Sequence, residues 1–142
     1  MPDTKPLYTA HAFATGDGRQ GHVASSDQTV DTDLALPKEM RGAGGLPNPE
    51  IFFAAGLAAC FHNALSLVAG KAGTDLGDSS VSSEVTLGAN AAGGFELAVS
   101  LTVAAPGTDQ ETLERLVATT EQVCPYSNAV RGNVPLEINV KA

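Results

Sequence analysis

Two cysteines, Cys60 and Cys124, give this chain its widest chemical choice. A thiol packs as a small core hydrophobe when protonated and becomes a nucleophile, redox partner or metal ligand once ionised. The two lie far apart in sequence and form no Cys-x-x-Cys motif, so spacing alone leaves both the inert and the active reading open. The active reading requires both thiols in one pocket and a cation beside Cys60, because an ordinary thiol ionises near pH ~8.5 and a neighbouring guanidinium lowers that value. The shortlist of guanidinium groups is Arg19, Arg41, Arg115 and Arg131. His62 follows Cys60 by two positions, which on a helix is about 200° round the axis, so it points elsewhere and reads as a structural histidine. Cys60, His62, Cys124 and either His11 or His22 lack the ligand spacing of a zinc site, and no metal is expected. The Gly-rich stretch 41–47 lacks the Gly-Lys-Ser/Thr of a phosphate cradle. No pair of carboxylates is spaced for acid–base work.

The elements that must position these thiols belong to a chain of 142 residues, 43% hydrophobic and 17% charged. That length fits one domain over 1–142, burying roughly two thirds of the unfolded surface. Sixteen acidic against eight basic residues leave a net charge of −8, which repels phosphate backbones and anionic lipid and argues against nucleic-acid and membrane partners. The longest apolar run, Ile51 to Phe61, stops at His62 and is too short to span a bilayer. The opening Met-Pro-Asp-Thr-Lys-Pro has no signal-peptide character. A cytoplasmic location follows as the expectation, and there both thiols stand reduced.

Hydrophobic periodicity predicts an N-terminal meander of three strands, over 8–14, 19–25 and 30–36, with Arg19 just after the Thr15-Gly16-Asp17-Gly18 turn. A helix then runs from Pro49 to about Val68, with Asn48 as cap, Glu50 in its first turn and a stop at Gly70 or Gly73. Apolar nearly all round and rich in Ala and Gly, it reads as a closely packed, buried helix carrying Cys60 at its middle. Strands follow at 81–87 and 95–103. Thr108-x-x-Glu111 reads as the capping box of a second helix. That helix carries Leu113, Leu116, Val117 and Val123 as its stripe, and Pro125 places Cys124 in its last turn. Leu136, Ile138 and Val140 alternate on a closing strand. The order βββαββαβ defines an α+β fold of antiparallel meanders with two packed helices.

At the cysteines the sequence resembles the organic hydroperoxide resistance (Ohr) proteins, in the Ohr/OsmC superfamily that also holds the osmotically inducible peroxidases. The matching segments are Asn48-Pro49-Glu50, Phe53-Ala54-Ala55-Gly56, Ala58-Ala59-Cys60-Phe61-His62, Val123-Cys124-Pro125-Tyr126-Ser127-Asn128-Ala129 and Arg131-Gly132-Asn133. Near the N-terminus, Tyr8-Thr9-Ala10 and Ala14-Thr15-Gly16 through Arg19 also match. One departure is Asp17, which makes the turn before Arg19 one residue longer than the family's usual Ala-Thr-Gly-Gly-Arg.

The resemblance implies a cysteine-based peroxidase of the oxidative stress response that binds no cofactor. In it, Cys60 is peroxidatic, Cys124 resolving, Arg19 the thiolate-stabilising residue and Glu50 the residue that orients Arg19. The cycle passes through a Cys60 sulfenic acid and a redox-active Cys60–Cys124 disulfide, recycled by dihydrolipoamide or a lipoylated protein. The substrates implied are alkyl and fatty-acid hydroperoxides, in an apolar pocket expected to include Phe52 and Phe53. An intertwined homodimer is also implied. Helix rise adds its own argument, since Glu50 and Cys60 stand about 15 Å apart along one axis. An arginine reaching both within one chain is a stretch, so the active site is expected across the dimer interface. Alternatives are an osmotically inducible type of peroxidase with broader peroxide preference, a thiol redox sensor that oxidises once without turnover, and a structural protein with two core cysteines.

Overall fold

The computed structural model describes residues 3–142, which fall into two compact units with a boundary between Pro49 and Glu50. In the first, β1 (Ala12–Thr15), β2 (His22–Ser25) and β3 (Asp31–Asp33) form an antiparallel sheet in the order β1-β2-β3. Thr15 pairs with His22, and His22 with Asp33. The meander is there, but each strand is shorter than the periodicity predicts. β1 is exposed along its whole length, so no buried face extends it towards Tyr8. The β2–β3 loop is closed instead by Asp27, whose carboxylate accepts hydrogen bonds from the Ser25 hydroxyl at 2.6 Å and from the Thr29 amide and hydroxyl. These bonds hold its pKa down at about 2.

Residues 18–20 form a single 3-10 turn rather than the start of a strand, with Arg19 half-buried at its centre. Gly21 closes that turn. A side chain there would run into the Thr15 carbonyl oxygen, so the tight return before β2 requires glycine.

In the second unit, β4 (Ser80–Ala89), β5 (Phe95–Ala104) and β6 (Leu136–Lys141) form a three-stranded sheet. β4 and β5 are an antiparallel hairpin, but β6 runs parallel to β5, with Leu101 opposite Ile138. The antiparallel expectation fails at this strand because two helices, rather than a hairpin, carry the chain back before β6.

The long helix α1 (Pro49–Lys71) ends where Gly73, at φ +71°, takes the left-handed conformation. The Thr74 amide then donates to the Ala69 carbonyl and the Gly73 amide to the Gly70 carbonyl, the two bonds of a Schellman motif. By length and composition α1 could cross a membrane, with a mean hydropathy of 1.8 over its best window, so the Ile51–Phe61 run understates it. Its inner stripe of Leu57, Phe61, Ala64, Leu65 and Ala69 instead packs in one core with Val99, Leu101 and Val103 of β5 and Leu113, Leu116 and Val117. The helix is not buried all round, since Ile51, Ala55, Ala59 and Leu67 are exposed.

The predicted second helix is two. α2 (Gln110–Val123) and α3 (Pro125–Val130) meet at Cys124. The cap of α2 is Asp109, whose carboxylate accepts the Thr112 amide at 2.9 Å. The Thr108 amide closes the Pro106-Gly107 turn on the Ala105 carbonyl, and the helix starts one residue later than the capping-box pattern places it. The element order is therefore βββαββααβ, a mixed α+β architecture.

Candidate active site

Pro125 shapes the site from the backbone upward. It pushes the residue before it out of helical geometry, and Cys124 accordingly sits at φ −67°, ψ 123°. The Cys124 amide still donates to the Thr120 carbonyl to finish α2, while its carbonyl accepts the Asn128 amide to begin α3. One extended residue thus joins two helices, and its side chain turns into the core, where Cys124 is wholly buried. Cys60 stands half-buried on α1, with its Sγ 3.6 Å from the Cys124 Sγ. Sequence spacing could not pair these thiols. The α2–α3 break does so.

Cys60 responds to this setting. Burial pushes its thiol above the ordinary range, the Tyr126 backbone N–H at the start of α3 pulls it down, and the Cys124 thiol adds to the upward push. The net direction is up. The Tyr126 ring also lies across Gly56, one turn before Cys60. A Cβ on Gly56 would stand 3.1 Å from the ring's Cε2 and Oη. Glycine therefore allows α3 to close on α1, a contact whose sequence signal was only a small residue one turn before a cysteine.

The other singled-out residues are distributed around this pair. His62 turns to Ser79, with Nε2 and Oγ 3.0 Å apart. Glu50 is half-buried in the first turn of α1, and Arg19 lies in the N-terminal unit. Phe53 packs against the core of the second unit, and Phe52 is half-buried beside it. Neither lines the groove that opens beside Cys60. That groove, about 740 Å³, runs between α1 and α2 and is walled by Ala64, Leu67, Val68, Leu116 and Val123, with Lys71 and Arg115 also lining it. Among the described residues, no group of three or more His, Cys, Asp or Glu side chains is arranged to hold a metal ion.

The fold and the thiol pair define a class of protein, and the chain belongs to the OsmC family, whose model, described as OsmC-like protein, matches residues 42–139. Within that family, the chain is 49% identical over 138 residues to the organic hydroperoxide resistance protein of Xanthomonas axonopodis pv. citri, covering 96% of both chains. It is 39% identical to organic hydroperoxide resistance protein OhrB of Bacillus subtilis, covering 95% of this chain and 98% of the relative. Its fold superimposes on an organic hydroperoxide resistance protein from Legionella pneumophila with a TM-score of 0.92 and 48% identity, over 97% of this chain and 100% of that one.

Proposed function

We propose that this chain is a thiol-dependent peroxidase for organic hydroperoxides, acting in the cytoplasm through Cys60 and Cys124. The observation that carries the reading is the 3.6 Å approach of the two sulfur atoms, one partly open to solvent and one buried behind it. A disulfide needs about 2.05 Å between sulfurs, so a small movement at the α2–α3 junction converts the contact into a bond. The names of the full-length relatives support the same substrate class.

In the proposed cycle the Cys60 thiolate attacks the distal oxygen of the hydroperoxide. The O–O bond breaks, the departing alkoxide takes a proton and leaves as the alcohol, and sulfur is oxidised to a sulfenic acid. The Cys124 thiol then attacks the sulfenic sulfur, forming the disulfide and releasing water. A dihydrolipoyl dithiol reduces that disulfide by thiol exchange and is itself oxidised to the cyclic disulfide. The protein needs no bound cofactor for any of these steps.

The same reading gives Arg19 the task of favouring the thiolate and Glu50 that of orienting it. The upward push on Cys60 from its own unit is what such a cation must offset. Ten residues of helix place Glu50 about 15 Å from Cys60, so we assign Arg19 and Glu50 to the site of a partner chain in a homodimer.

The test is peroxide consumption with dihydrolipoamide, comparing an organic hydroperoxide with hydrogen peroxide, wild type beside Cys60→Ser. Turnover favouring the organic substrate, and none in the variant, is expected. Oxidation of the cysteines without turnover would instead fit a thiol sensor. Intact reduced cysteines after exposure to both peroxides would return the pair to a packing role.

A further inference from the structure

The inward face of α2 and α3 runs through Thr120, Cys124, Ser127 and Val130, all buried, with exposed or half-buried residues between them. Two of the four carry hydroxyls, and the backbone treats them differently. Thr120 donates to the Leu116 carbonyl at 2.7 Å, the local bond that lets a hydroxyl sit inside a helix. Ser127 has no such outlet. The residue four before it is Val123, and the extended backbone of Cys124, at φ −67°, ψ 123°, separates that carbonyl from α3. The carbonyl three before it, that of Cys124, takes the Asn128 amide. The Ser127 hydroxyl is wholly buried and has no hydrogen-bond partner among the described residues. The break that brings Cys124 to Cys60 therefore also strands a donor on the same buried face.

Cys124 is the N-cap of α3 and Ser127 its third residue. These are the two positions of a capping box, which face each other across a first helical turn. An unsatisfied buried hydroxyl costs folding energy, so its presence calls for a partner that arises in another state of the site. The resolving chemistry supplies one. Cys124 lies in the core with Leu113, Leu116 and Val117, and charge formed on its sulfur there is removed from solvent. Such charge develops twice per cycle. When the disulfide closes, the Cys124 S–H bond breaks and an S–S bond replaces the S–O bond of the sulfenic acid. The departing hydroxide takes up the proton and leaves as water. When a dithiol reopens the disulfide, it attacks the half-buried Cys60 sulfur, because the Cys124 sulfur is closed off. The S–S electron pair leaves on Cys124, which then takes a proton. The second sulfur of the dithiol displaces Cys60, and the reductant leaves as a cyclic disulfide.

We infer that the Ser127 hydroxyl donates a hydrogen bond to the Cys124 sulfur in both steps, so that Ser127 sets the rates at which the disulfide forms and reopens. The inference rests on the two-cysteine peroxidase reading for its cycle and adds a residue to the resolving half. Peroxide attack on Cys60 precedes both steps and does not involve it.

The experiment follows both steps by quenched-flow mass spectrometry in wild type, Ser127→Ala and Thr120→Val. The disulfide is formed with diamide as well as with an organic hydroperoxide and is reduced with dithiothreitol, so the measurement does not depend on peroxide turnover. Ser127→Ala is expected to slow both steps about tenfold, the scale of a hydrogen bond to a charged atom. The oxidation of Cys60 by hydroperoxide should keep its rate. The reduction potential of the pair should also hold, because the donor acts on charge that neither end state carries. Thr120→Val deletes a neighbouring buried hydroxyl that is already bonded and should change neither step. Wild-type rates in Ser127→Ala overturn the inference even where the peroxidase is fully active. So does equal slowing in Thr120→Val, which would trace the effect to loosened packing. If the chain consumes no hydroperoxide, yet the disulfide made with diamide reopens slowly in Ser127→Ala, the donor role stands and the peroxidase reading falls. Failure of both oxidants to form a disulfide removes the donor role together with the resolving half of the cycle.

Discussion

At the scale of single residues, the chemistry turns on what ionises Cys60. Its own unit works against ionisation, through burial first and the neighbouring Cys124 thiol, with only the Tyr126 N–H favouring the anion. A raised thiol pKa means less thiolate at neutral pH, and the thiolate is the nucleophile. If Arg19 supplies the compensating charge, Arg19→Ala should move the midpoint of Cys60 alkylation upward, beyond the ordinary value near ~8.5, with wild type titrating below it. Iodoacetamide rates measured against pH on a Cys124→Ser background read this directly. Coincident profiles would remove Arg19 from the thiolate's environment. Ser127 gives a second test of how finely the junction is built. Its hydroxyl is wholly buried and has no hydrogen-bond partner. Removing an unsatisfied buried polar atom relieves a penalty rather than losing a bond. Ser127→Ala should therefore unfold at the same or a higher denaturant midpoint, whereas a loss above about 1 kcal/mol would reveal a partner for that oxygen.

At the scale of elements, the site depends on how closely α3 can lie against α1. Gly56→Ala would place a methyl group 3.1 Å from the Tyr126 ring, an overpacking that costs about 1–3 kcal/mol. Relief by shifting α3 also moves the Tyr126 N–H and the Cys124 thiol away from Cys60. Disulfide formation after oxidation should slow about tenfold or more, leaving Cys60 to advance to sulfinic acid under peroxide. Quenched-flow mass spectrometry on the folded variant would detect both. Unchanged disulfide rates would show that the ring adapts without moving the helix.

The β2–β3 pair carries a different kind of element-scale control. His22 lies between two carboxylates, Nδ1 at 2.7 Å from Asp33 and Nε2 at 2.6 Å from Asp31. The bond to Asp33 and then that to Asp31 raise its pKa above 6.5. The folded pair binds the proton more tightly than the unfolded chain, so this support is complete below pH ~6.5 and is lost as pH rises through the higher folded value. Amide exchange in β3, corrected for its intrinsic pH dependence, should accelerate across that window and lose the step in His22→Gln.

These elements also show what the sequence made legible. α1 and the β4–β5 hairpin were readable because apolar period and punctuation agree, down to Pro49 at the start of the helix, while its end was narrowed only to Gly70 or Gly73, of which Gly73 is the stop. The α2–α3 break was half readable. Pro125 announced a boundary at Cys124, but the resumption of helix over Pro125–Val130 lies in six residues with no periodic stripe. The parallel pairing of β6 and the exposed, shortened N-terminal strands depend on which faces find partners, and a single strand's alternation does not specify that. In the site, the two cysteines and their pairing were legible through the resemblance, while spacing alone left their contact open.

At the scale of the whole molecule, α1 exposes a face that a single chain leaves uncovered. Ala55, Ala59, Ser66 and Gly70 are all exposed and, at helical spacing, lie along one side of α1. Small residues let another backbone approach closely, and a closed dimer contact about a twofold axis would bury both copies of the face at once. Such a dimer resolves the distance between Glu50 and Cys60, because each chain's Arg19 and Glu50 can then serve the other's thiols. The arrangement predicts complementation between inactive chains. Cys60→Ser and Arg19→Ala homodimers should each be strongly impaired. In a purified heterodimer, the Arg19→Ala chain keeps its Cys60 and meets the intact Arg19 of the Cys60→Ser chain, so one of two sites is whole and activity should return to about half that of wild type. The other site lacks both groups. If each site were built within one chain, neither chain would be complete and mixing would restore nothing. Differently tagged chains, co-expressed and isolated by sequential affinity steps, distinguish a cross-chain site from a self-contained one through a single turnover measurement.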